Sequence, residues 1–153
     1  MKEKIGFLAL WTALAGGLNL VWEIIQLPLY TIYYETDLQT IAYAVAHCTL
    51  GDVLIALSSY LFAAATTRSW DWPVDRAVPG AAVAVVAGLT YTALSEWLNV
   101  SVRGSWAYAP AMPQLFRLGL SPLLQWLVLP LLGLFIFRVL ERRMIDLNQN
   151  RDR

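Results

Sequence analysis

Read for hydrophobic and polar positions, the chain alternates between long apolar runs and short polar breaks. The runs cover about residues 5–27, 40–67, 79–100 and 121–140. Each suits a bilayer-spanning helix, which needs about 20 mostly apolar residues. None alternates with the period of a strand, and none carries a polar face wide enough for water to wet. The pattern predicts an all-α, polytopic integral membrane protein: a single domain of four transmembrane helices in a compact bundle. Residues 101–120 are expected as an outer loop or lid, and residues 141–153 as a cytoplasmic tail with a frayed helical start.

The breaks carry their own signals. Pro28 ends the first run, and PLYTIYYETDL after it reads as a short aromatic helix lying in the interface. SWDWP reads as a turn carrying a pair of interfacial tryptophans, Trp70 and Trp72. RGSWAYAPAMPQLFR is too apolar for an ordinary linker and too broken by prolines for a span, so it is expected to pack as a lid on the helix ends. Ser121-Pro122 reads as an N-cap with proline at the first helical position, and Pro130 as a kink inside the last helix.

Composition agrees with the pattern. Of 153 residues, 58% are hydrophobic and only 14% charged, against about a quarter charged in an ordinary soluble domain. Lysines plus arginines equal aspartates plus glutamates at 11 each, so no basic excess points to nucleic acid. The single cysteine, Cys48, excludes an intrachain disulfide and a cysteine-rich metal site. The basic residues are unevenly placed. Nine of the 11 fall in the N-terminus, the second loop and the tail, while only Arg103 and Arg117 fall on the other side. By the positive-inside rule both termini are expected in the cytoplasm, and in a bacterium the protein in the inner membrane.

Against this apolar background, a few polar residues stand out. Glu23, His47, Asp52 and Glu96 are ionisable groups inside runs, where a charge at the bilayer centre costs roughly 2.5–3.5 kcal/mol on insertion scales. All lie in the half expected to face outward. Asp52 is the deepest, roughly 18 Å below the start of its helix at about 1.5 Å per residue. Asn19, Glu23 and Gln26 share one helical face, as do Thr92, Glu96 and Asn99, and as do Ser121 and Gln125. Together these predict a polar pocket open to the outside, lidded by the loop that carries Arg103, Trp106 and Tyr108. Its acid–base groups are expected to be Glu23, His47, Asp52 and Glu96. Its ligand contacts are expected from Asn19, Asn99, Arg103, Trp106, Tyr108 and Gln125.

Several chemistries suit such a set. A buried carboxyl keeps its proton and can serve as an acid, with a neighbouring carboxylate or His47 as the base. That suits an isomerase, cyclase or hydrolase acting on a membrane-soluble molecule, with Trp106, Tyr108 and Trp126 facing an apolar or cationic intermediate. His47 with the carboxylates also forms a nitrogen–oxygen ligand set for a metal, without any HExxH or ExxH spacing to support it, and no metal site is assigned. No cofactor is required by the sequence. A structural or assembly subunit of a larger membrane complex is the alternative, in which the same polar groups join helices together. Metal binding or ion handling is the second alternative. The stretches LVWEIIQLPLY and PLLQWLVLPLLGLF resemble helices of the sterol-isomerase and sigma-2-receptor-like membrane proteins. The likeness covers these two stretches and implies intramembrane carboxylates in a pocket for a lipid-like ligand.

Overall fold

The computed structural model describes residues 2–151, with side chains described for residues 6–143. The chain is mostly helical, at 82%. Its elements are α1 (Lys2–Gln26), a 3-10 turn (Leu27–Leu29), α2 (Ile32–Glu35), α3 (Leu38–Thr67), α4 (Trp72–Asp75), α5 (Ala77–Glu96) continuing as a π turn (Trp97–Arg103), β1 (Gln114–Leu115), β2 (Leu118–Gly119) and α6 (Leu120–Arg151). Four stretches are long and apolar enough to cross a membrane: Gly6–Leu29, Leu38–Thr67, Ala77–Arg103 and Leu120–Arg143.

The four long helices form a ring in which α1 and α5 each pack against both α3 and α6. Short connections make neighbours in the chain run antiparallel. In lipid, helices gain little from hiding apolar surface from one another, so close approach and hydrogen bonds must hold them. Both are present. A Cβ on Gly88 of α5 would sit 2.1 Å from the Trp126 ring of α6, so that indole lies directly on the bare backbone. Ala56, Ala63 and Ala84 are buried where α3 and α5 face the other helices. The Trp11 indole N–H donates to the Ala56 carbonyl at 3.3 Å and ties α1 to α3. Asp37 caps α3 by accepting from the Thr40 N–H at 2.8 Å, which holds its carboxyl below the usual range. Arg68 closes the helix in the left-handed conformation at φ 55°.

The end of the bundle near α4 is plugged. Trp72 was expected at the interface, yet it is fully buried. A Cβ at Gly80 would lie 2.1 Å from its ring, so the glycine opens the slot that admits it. There Trp72 meets Trp11 at 5.4 Å and Tyr60 at 5.5 Å between ring centroids, with Phe137 buried in the same cluster. The Tyr60 hydroxyl donates to the Trp70 carbonyl at 2.8 Å and fixes the turn.

At the opposite end, loop 104–113 lies across the exit of α1. Thr31 donates its N–H to the Ala107 carbonyl at 3.0 Å, and Ala109 donates to Leu29 at 2.9 Å, forming a short antiparallel bridge between Tyr30 and Tyr108. Ala109 and Met112 of this loop are buried. The chain then makes the β1–β2 hairpin, so the purely helical expectation gains one small antiparallel sheet. Ser121 does not act as the expected N-cap, because α6 already begins at Leu120 and the Ser121 side chain turns into the bundle. The helix continues through Pro130.

Candidate functional site

Three helices supply one hydrogen-bonded cluster close to the covered end. From α1 come Asn19, Glu23 and Gln26, brought to one face by spacings of four and three residues. From α3 comes Asp52, and from α6 come Ser121 and Gln125. The hub is the Gln125 amide. Its Nε2 donates to Asn19 Oδ1 at 2.8 Å, to Asp52 Oδ2 at 2.8 Å and to Glu23 Oε1 at 3.4 Å. Gln26 Nε2 donates to the same Glu23 oxygen at 2.7 Å, while Gln26 Oε1 accepts from Ser121 at 2.8 Å and from the Trp22 indole at 3.2 Å. Gln26 Nε2 also approaches Gln125 Oε1 at 3.5 Å. Asn19, Gln26 and Gln125 are buried, and Glu23 and Asp52 are half-buried. The two carboxyl groups converge on the same Gln125 nitrogen.

The fourth helix contributes Glu96, buried at the end of α5 and close enough to act electrostatically on both carboxyls. Its partner is the Tyr108 hydroxyl from the covering loop. Tyr108 in turn accepts from the Gly119 N–H at 2.8 Å, and its ring lies where a Cβ on Gly119 would be, at 2.9 Å. Burial, and after it the neighbouring Glu96, pushes the Tyr108 phenol up, so it stays a donor. Tyr30 packs beside it at 5.7 Å, its phenol also pushed up by burial. The buried Trp106 indole N–H lies beside Glu96.

His47 does not join the cluster. It is exposed and stacks on Tyr43 at 5.8 Å, one turn earlier on the same helix. The reason is angular: five residues from Asp52 is about 140° around a helix, which turns it away from the bundle. Cys48, one turn before Asp52, takes the inward position and lies among Glu23, Asp52 and Glu96. Arg103, expected as a ligand contact, is exposed, and the partner of Glu96 is Tyr108. Asn99 donates to Ser95 on its own helix, at 2.9 Å to the carbonyl, and its carbonyl accepts from Ser105 at 2.8 Å. It shapes the loop and adds no atom to the cluster's hydrogen bonds. Trp126 is buried against Gly88 and adds no atom to the cluster's hydrogen bonds.

Gln26 and Ser121 are central here, although neither was assigned to the site. The signal for Gln26 was its i+3 spacing from Glu23. Ser121 was hidden because serine before proline suggests a cap. The groups were also expected to line an open cup, yet they converge on one another. Below Gln125 lies only a cavity of about 20 Å³, lined by Asn19, Ser59, Trp11 and Pro130 among others, with room for about one water. Among the described residues, no group of three or more His, Cys, Asp and Glu is arranged to hold a metal ion. No protein-family model, no curated protein and no solved structure matches the chain.

Proposed function

We propose that the chain is an integral membrane protein in which the Glu23–Asp52 pair performs acid–base chemistry on a lipid-like molecule, with Glu96 and Tyr108 beside it. The observation that carries this reading is the shared amide: carboxyls from two helices meet at one Gln125 nitrogen that has only two hydrogens for three acceptors. Gln26 serves Glu23, so each acceptor has a donor, and a proton held between the carboxyls relieves the repulsion of two acids brought to one nitrogen. A pair sharing one proton presents an acid and a base side by side, the arrangement that isomerisation, cyclisation or hydrolysis needs. No described arginine or lysine enters the cluster, so the substrate class is neutral or cationic; a phosphate or carboxylate head would face three carboxyls. Four apolar helices and the bias of basic residues support insertion with both termini in the cytoplasm, and in a bacterium the inner membrane.

The test is Asp52→Asn, which keeps size and removes the titrating group. The purified wild type in mild detergent is expected to carry a neutral or cationic apolar molecule in native mass spectrometry, and Asp52→Asn to lose it at an unchanged melting temperature. Once a substrate is in hand, the rate is expected to fall about 10²–10⁴-fold. A variant that melts lower while carrying the same molecules as the wild type would identify the cluster as helix-joining polar contacts, the role of an assembly subunit.

A further inference from the structure

The β1–β2 hairpin has an unusual tip. Gln114 pairs with Gly119 and Leu115 with Leu118, leaving a two-residue turn of Phe116 and Arg117. Both adopt positive φ, 51° and 68°. Two-residue hairpins with left-handed φ at both positions favour Asn-Gly or Gly-Gly, because a side chain there meets the backbone. Phe and Arg are thus a strained choice for the turn itself. Nor does burial account for them: Phe116 is 90% exposed, Leu115 beside it is 49% exposed, and Arg117 is exposed. The tip is fixed in height. Gly119 is held by Tyr108, and α6 begins at Leu120, where an apolar stretch long enough to span a bilayer starts. Other aromatic side chains project at this end, with Tyr33 at 45% and Tyr34 at 65% exposure on the short α2 helix. An exposed phenylalanine next to an arginine, at the level where a span begins, matches the bilayer's own layering: the ring suits the upper acyl region, and the guanidinium suits lipid phosphate above it.

We propose that residues 115–117 form a lipid anchor. Phe116 and Leu115 insert into the leaflet at the Glu96 end, Arg117 pairs with headgroup phosphate, and the anchor sets the height of the loop that covers the carboxyl cluster. The proposal rests on membrane insertion and is independent of the acid–base reading. Its test places a bimane label at Phe116→Cys in a Cys48→Ala background, reconstituted in phosphatidylcholine–phosphatidylglycerol vesicles. Quenching by a shallow doxyl lipid and protection from aqueous iodide are expected, with Leu115→Cys as the second reporter if the first variant does not fold. Iodide quenching without doxyl quenching overturns the anchor, and protection from both quenchers overturns it in favour of a protein contact. Release of the protein by an alkaline carbonate wash would instead defeat membrane insertion itself. In detergent, the Phe116→Asn, Arg117→Gly double variant is expected to melt higher than the wild type. An unchanged or lower melting temperature removes the strain on which the proposal stands.

Discussion

At the scale of single residues, Gln125 and Gln26 hold the most hydrogen bonds per side chain, and Tyr108 ties the covering loop to Glu96. Gln125 serves acceptors on α1 and α3 from its position on α6, so Gln125→Leu leaves Asn19 and Asp52 without that donor. Buried acceptors stripped of a partner cost about 1–3 kcal/mol each, and thermal unfolding in detergent is expected to shift down accordingly. Tyr108→Phe keeps the ring against Gly119 and deletes the hydroxyl that joins Glu96 to the Gly119 N–H. Faster hydrogen exchange at the Gly119 amide, with the helices unaffected, is the expected result; unchanged exchange would show that another contact holds the loop. Much at this scale was legible beforehand. Apolar surroundings made Glu23, Asp52 and Glu96 conspicuous, and helical spacing put Asn19 and Gln26 beside Glu23. His47 was misplaced because being ionisable drew attention that its angle around the helix did not support, while Cys48 took the inward line.

Among elements, the long helices were readable because an apolar run of that length has few other uses: α3 begins and ends within a few residues of its run, and α6 begins with its run but continues past it to Arg151. Their pairing was less readable, since it depends on where a helix lacks a side chain. Gly88 is the sharpest instance, with the Trp126 ring occupying its missing Cβ position at the α5–α6 contact. Gly88→Ala forces the ring or the helix to move, and overpacking of this kind costs about 1–3 kcal/mol. The expected reading is a lower melting temperature, whereas Gly17→Ala, with nothing within 4 Å of the added carbon, serves as the neutral control. The hairpin escaped sequence reading for a related reason: Phe-Arg is a poor turn signal, and a ladder of two residue pairs leaves almost no alternation to see.

For the whole molecule, the proposed orientation rests on charge alone and is open to a direct check. With both termini in the cytoplasm, a membrane-impermeant maleimide added to intact cells is expected to label Glu35→Cys and to leave a cysteine at Arg76 untouched; the reverse pattern would invert the topology. The closure of the two ends was not readable, because it depends on contacts between residues far apart in the chain, such as Tyr108 with Glu96 and Trp72 with Trp11. The Trp72 plug has a further consequence. Indole and phenol rings fill the far end, so the bundle offers the carboxyl cluster no route on that side, and the loop that carries Tyr108 is the cover on the other. Under the proposed acid–base reading, a proton taken up at the cluster returns to the side that supplied it, and a turnover carries no net charge from one compartment to the other.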